Sequence, residues 1–267
     1  MANTGGRRKT VIGMVGLKAL PGTYMYQGES VEEIKKLAVE DAIKLCSAGF
    51  DGIIIQNVND LPGKRKVGPE IVAYMASIGQ AIRTEVGRNC LLGVSVLKND
   101  GEAGVAIAHA IEADFVRLKV YVGAMVSAEG LIEGCMEEVL EMKKRIGAQV
   151  ELWADVLDRT GRPLTQVTVE EMAEQAFTKG GADAVIVTGR SFEETLKWIE
   201  TTRRSVPGRR ILVGGGCTPN NVGAALEYAD GIIVGTYLKR DGCIYNSVDD
   251  SRVLRFMKAV TAARDAK

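Results

Sequence analysis

Eight short apolar runs, each followed by a longer stretch with helical apolar spacing, narrow most sharply what this chain can fold into. The runs lie near residues 11–15, 52–56, 91–96, 115–119, 150–155, 184–188, 211–214 and 231–235. The helical stretches lie near 31–48, 68–87, 100–111, 132–147, 168–180, 193–205, 218–227 and 249–264. Such alternation implies parallel strands, because a parallel neighbour is reached only by a crossover about as long as a helix. Eight units close into an α/β fold of the (β/α)8, or TIM-barrel, type; a doubly wound sheet usually has fewer strands and a marked switch point. The 267 residues suit one such barrel. The expected organisation is a flexible tail over residues 1–10 and a single barrel domain over residues 11–267.

A weak internal repeat supports closure. Asp51, Asp114, Asp183 and Asp230 each stand just before an apolar run, in GFDGIII, EADFVRL, GADAVIV and YADGIIV. By this count they precede every even strand. The amino ends of barrel strands form the face concerned with stability, so these aspartates are expected to cap or turn the chain.

Charge and cysteine content remove several function classes. Lys+Arg and Asp+Glu are both 34, so nothing electrostatic points to nucleic acid or an anionic membrane as partner. No apolar run is long enough to span a bilayer. The five cysteines, at 46, 90, 135, 217 and 243, have no metal-type spacing, and their odd, scattered set points to a reducing cytoplasm rather than a disulfide scaffold. The single histidine, His109, lies in a helical stretch, which argues against a Ser-His-Asp or Cys-His pair and excludes a histidine-rich zinc site.

The seventh run leads into Gly214-Gly215-Gly216-Cys217-Thr218-Pro219, and the eighth ends Gly235-Thr236 with Lys239 shortly after. Glycines let backbone N–H groups approach an anion. Thr218 is a good N-cap, Pro219 fits the first helical position, and a helix N-terminus favours negative charge. Barrels commonly bind phosphate between these two loops. Residues 214–216, 218, 235 and 236 are therefore the candidate phosphate site. Cys217 is expected to fill a small packing or backbone role.

Side-chain alternation identifies the rest of the mouth. Val150, Leu152 and Ala154 should face the helices, leaving Glu151, Trp153 and Asp155 inside; on the preceding strand Phe115, Arg117 and Lys119 point in. Unpaired charge is costly there, so Arg117 is expected to meet Glu151, and Lys119 to meet Asp155. Asp155 is the candidate general base, with Lys119 and Asn57 orienting substrate. Gln56, Asn99, Asp100, Arg117, Tyr121 and Thr188 gather at the same rim as candidate substrate contacts. No cofactor is expected, although Mg²⁺ with a phosphorylated ligand remains open.

The segments VIGMVGLKALPG, QNVNDLP, GVSVLKND, ADFVRLKVYVGAMVSAEGLIEG, ADAVIVTG and ADGIIVGTYLKRDG together resemble the BtpA/SgcQ family from about Val11 to Met257. The resemblance implies a TIM-type barrel. It implies either a role in photosystem I biogenesis and stability, as for members from phototrophs, or sugar metabolism, as for the SgcQ branch. Gly16, Gln56 and Lys119 stand where members often carry His, Glu and Asn. Three readings follow: an enzyme using acid–base chemistry on a small phosphorylated metabolite of sugar-phosphate type, a non-catalytic assembly factor, or a ligand-binding barrel that has lost activity. A homo-oligomer is expected by analogy with other barrels.

Overall fold

The computed structural model describes residues 9–265. Eight parallel strands form a closed barrel: β1 (Thr10–Gly16), β2 (Gly52–Gln56), β3 (Leu91–Ser95), β4 (Phe115–Leu118), β5 (Glu151–Val156), β6 (Ala184–Val187), β7 (Arg210–Val213) and β8 (Gly231–Val234). Each pairs with its neighbours in sequence, and β8 returns to β1 with Thr10 opposite Gly231. The crossovers are α1 (Val31–Ser47), α2 (Pro69–Val86), α3 (Gly101–Ala110), α4 (Met136–Arg145), α5 (Val169–Thr178), α6 (Phe192–Ser205), α7 (Val222–Tyr228) and α8 (Asp250–Asp265). Of the expected tail, residues 1–8 lie outside the described residues, while Thr10 already opens β1 and Lys9 Nζ donates to Ala229 O at 2.8 Å. Among the described residues no helix is long and apolar enough to cross a membrane.

Strand alternation sorts the apolar side chains into two cores. Val116, Leu118, Leu152 and Ala154 belong to the layer under the helices. Ile12, Met14, Ile54, Phe115, Trp153, Ile186, Leu212 and Ile233 fill the barrel itself. Phe115 and Trp153 stack there with ring centroids 3.6 Å apart.

The aspartate repeat staples the floor. Asp51 accepts from Val11 N, Asp114 from Leu92 N, Asp183 from Leu152 N and Asp230 from Ile211 N, at 2.7–2.9 Å. Each even-strand aspartate thus ties down the first amides of the odd strand before it. In three units an arginine from the helix preceding that odd strand meets the same carboxylate: Arg264 on Asp51, Arg83 on Asp114 and Arg203 on Asp230.

The structure departs from the sequence expectations in three places. A hairpin, Ala124–Ser127 paired with Gly130–Glu133, rises from the loop after β4 and is joined by Arg162–Pro163 from the loop after β5. Its small core of Val120, Met125 and Ile132 uses apolar residues that the periodicity assigns to a loop or to the start of a helix, so α4 begins only at Met136. The helix expected from residue 218 starts at Val222; residues 218–221 form a turn closed by Val222 N→Thr218 O at 3.0 Å. Finally, Cys46 at the end of α1 and Cys90 just before β3 are joined as a disulfide, against the expectation of thiols only. Their separation of 44 residues carries no sequence signal; the fold makes them neighbours by returning α1 to the barrel floor. Cys135, Cys217 and Cys243 are free.

Asp114→Ala tests the staples. It leaves the Leu92 amide and the buried Arg83 guanidinium short of an acceptor, at a cost of about 1–3 kcal/mol. Urea unfolding should show a lower midpoint with an unchanged slope.

Candidate functional site

The carboxyl ends of the strands open into a cavity of ≈ 760 Å³. One wall is the glycine-rich loop 214–218 after β7, together with Gly235 and Thr236 after β8. The opposite wall carries Arg117 and Lys119 from the β4 end and Asp155 and Asp158 from the β5 end. Gln56 and Thr188 also line it, as do Lys98 after β3 and Glu129 in the hairpin turn.

A matched ionic cluster dominates the second wall. Arg117 donates from Nε and Nη2 to the two oxygens of Asp155, both at 2.8 Å, with both side chains buried. Lys119 Nζ lies 3.2 Å from Asp155 Oδ1 and 3.2 Å from Asp158 Oδ2. The expected Lys119–Asp155 pairing is present; the expected Arg117–Glu151 pairing is not. Register puts Phe115 opposite Glu151 and Arg117 opposite Trp153, so the arginine reaches up the tilted barrel to Asp155. Glu151 stays at the floor, bound to Arg210 at 3.0 Å and to Trp153 Nε1 at 2.7 Å.

Two members of the cluster have shifted pKa values. Burial alone would raise the Asp158 pKa, but Lys119, the Thr160 amide and Arg117 hold it well below the ordinary carboxylate range. For Arg117, burial works against the charge and Asp155 more than restores it, so its pKa rises above the ordinary arginine value. Asp155 accepts three hydrogen bonds from two cations, two from Arg117 and one from Lys119. Asp158 Oδ2 faces Lys119 but accepts no hydrogen bond among the described residues. Both carboxylates are matched to cations, and no three His, Cys, Asp or Glu side chains converge among the described residues.

On the glycine wall, the amides of Gly215, Gly216 and Cys217 have no partner among the described residues. Gly216 adopts φ +77° with open space beside it, so backbone conformation, not crowding, requires glycine there. At Gly214 the reason is close approach: a Cβ would come within 2.4 Å of Thr188 Oγ1 and 3.1 Å of Arg117 Nη2. Arg159 lies against Gly215 and forms no ion pair with another described residue. Thr218 is not a helix cap; its amide donates to Asn221 Oδ1 at 2.7 Å, which draws the turn together. Cys217 is buried and its thiol is pushed up to about 12, so it packs rather than reacts. Lys239 turns away from the glycines and is buried against Asp41 at 3.4 Å.

Several expected contacts shape the rim instead of lining the cavity. Asn57 accepts from Leu97 N at 2.7 Å and donates to Asp60 at 3.0 Å, latching the loop after β2 to the loop after β3. Asn99 grips Val120 N and O at 2.9 and 2.8 Å, latching that loop to the next. Asp100 caps α3 through Ala103 N and binds Val67 N at 2.9 Å. Tyr121 is fully buried in the outer core, its hydroxyl donating to Gly180 O, because the chain turns behind β4 there to start the hairpin. Thr188 faces the cavity, and its buried Oγ1 has no partner among the described residues. Sequence reasoning missed Asp158, Arg159 and Lys98; the first two follow the β5 end by only a few residues, where barrels place their chemistry.

The chain matches the model of the BtpA family over residues 7–262. It belongs to the BtpA family. Its relatives include an uncharacterized protein of Pyrococcus horikoshii, 36% identical over 96% of this chain and 98% of that one. The photosystem I biogenesis protein BtpA of Synechocystis is 32% identical over 96% and 90%. A mitochondrial protein of Caenorhabditis elegans is 30% identical over 96% and 95%. Solved barrels are similar in fold alone. Phosphoribosyl anthranilate isomerase from Thermus thermophilus has a TM-score of 0.54 at 12% identity, covering 95% of this chain and 98% of its own. Dihydrodipicolinate synthase from Bacillus clausii has a TM-score of 0.57 at 12% identity, covering 96% and 74%.

The lowered Asp158 pKa predicts an acid-sensitive component of stability. It is fully present above the ordinary aspartate value of 3.8 and is lost as pH falls toward the folded-state value. Asp158→Asn should therefore cost stability at neutral pH, and the gap to the wild type should shrink below about pH 4. Urea unfolding across that range measures it.

Proposed function

We propose that this BtpA-family barrel binds a small phosphorylated metabolite of sugar-phosphate type and acts on it by acid–base chemistry at the mouth. One observation carries the reading: glycine-rich loops after β7 and β8 share a single cavity with a buried, charge-matched cluster on the facing wall. The phosphate would sit on the amides of Gly215, Gly216 and Cys217 and beside Gly235 and Thr236, with Arg159 supplying a cation. Thr188 Oγ1 offers a buried hydroxyl to the ligand body.

Lys119 has the reactive role in this scheme. Its ammonium, between Asp155 and Asp158, can turn to a ligand oxygen on which negative charge develops. That movement uncovers Asp158, whose carboxylate then binds a proton more readily because its nearest compensating charge has moved off. Asp155 stays behind as the counter-charge of Arg117. Gln56, at the cavity edge, is a further polar contact.

The name of the Synechocystis relative supports a second reading, in which the barrel assists assembly of a protein complex without catalysis. Relatives in a nematode and in a hyperthermophilic archaeon, which carry no photosystem, favour a metabolite as the ligand common to the family.

Thermal-shift measurements with inorganic phosphate and a panel of sugar phosphates separate the two. A ligand at 100 times its Kd stabilises the native state by about 2.7 kcal/mol. Gly215→Asp, which sets a carboxylate where the phosphate would sit, should abolish the shift, whereas Lys119→Met should keep the shift with inorganic phosphate. Absence of any shift in the wild type would remove the phosphate reading and leave the assembly reading.

A further inference from the structure

A second, smaller cavity lies behind the ionic cluster. It measures ≈ 240 Å³ and shares Lys119, Asp155 and Asp158 with the large one. Its remaining walls are mostly apolar: Val122 just before the hairpin, Met125 within it, Leu157, Met172 of α5 and Trp198 of α6. Arg162, Arg190 and Glu194 also line it. An apolar pocket with a few convergent polar groups at one end has the make-up of a small-molecule subsite.

Two further observations show that the fold is arranged around this junction. Leu157 has φ +54°, a left-handed conformation that costs a leucine roughly 1–2 kcal/mol. Strain of that kind persists where surrounding structure enforces it, and it gathers at ligand sites. Here it turns the chain between Asp155 and Asp158, so that both carboxylates meet Lys119 while Leu157 contributes to the pocket wall. The second observation is Asp158 Oδ2, buried at the boundary of the two cavities and ion-paired with Lys119 Nζ at 3.2 Å.

We propose that this side pocket receives an apolar group of the ligand, a single aromatic ring or a branched alkyl, while the phosphate of the same molecule lies on the glycine loops. The ligand class is then a phosphate ester with an apolar far end, and its central part passes Lys119 and Asp158. The inference rests on the phosphate site described above and extends it. The size fits, since an apolar cavity of about 150 Å³ is enough for benzene. The chemistry fits too, because the pocket offers a ring apolar contact on several sides and Trp198 for edge or face packing.

Calorimetric titration of the wild-type chain tests it with inorganic phosphate, glycerol 3-phosphate and a series of phenylalkyl phosphates of increasing chain length. One member of the series should bind about tenfold or more tightly than glycerol 3-phosphate. Met125→Trp, which fills the pocket, should cancel that gain and leave the Kd of inorganic phosphate unchanged. Trp198→Ala, at a half-buried position, should also reduce the gain. If inorganic phosphate binds but no phenylalkyl ester binds more tightly than glycerol 3-phosphate, the side pocket is overturned and the phosphate site stands. A gain that survives both substitutions overturns the side pocket as well. If neither inorganic phosphate nor any ester binds, the phosphate site itself fails, and the side-pocket proposal with it.

Discussion

Charge inside a barrel is tolerated only when it is matched, and the Arg117–Asp155 pair is the match on which the mouth depends. Two parallel hydrogen bonds hold the guanidinium flat against the carboxylate in a place water barely reaches. Removing either partner alone leaves a buried charge, a loss of about 3–5 kcal/mol. Neighbouring features follow from the pair. Gly214 lacks a side chain because Arg117 and Thr188 occupy that space. Lys119 approaches Asp155 from the open side and draws Asp158 into the group. Four charges, two of each sign, give a cluster that is neutral as a whole but steeply polar within, suited to responding to a ligand's own charge.

Side-chain-to-backbone bonds tie the rim loops to one another. Asp60 on the Leu20 amide, Asn57 on Leu97 and Asn99 on Val120 link the first four loops in order. Short carboxamides and carboxylates do this well because they satisfy backbone groups that irregular loops leave unpaired. The cavity edge is therefore set before a ligand arrives, which lowers the ordering cost of binding.

The barrel was legible in the sequence because its signal is periodic. Val116 and Leu118 face the helices and Phe115 and Arg117 the interior, as alternation requires. The glycine loops were legible from position, since glycine at two adjacent strand ends marks a backbone that must bend sharply or admit a close neighbour. What escaped depends on reach and on contacts distant in sequence. Alternation says that Arg117 points inward but not that strand tilt carries it past Glu151 to Asp155. The hairpin at 124–133 looks like the approach to a helix until Met125 and Ile132 find each other. Cys46 and Cys90 become partners only through the crossover between them. Asn57, Asn99 and Tyr121 have the composition of a binding rim, but the fold spends their polar atoms on its own backbone. Thr218 and Pro219 carry capping character, yet Asn221 takes the Thr218 amide and the helix starts later.

The aspartates under the even strands act at the end of the barrel away from the mouth. They divide the base into four quarters, each secured by its own aspartate-to-amide bond. Gly16, Gln56 and Lys119 lie at the opposite, open end of their strands. The bonds that fasten the base and the charges that shape the mouth are thus separate sets of residues.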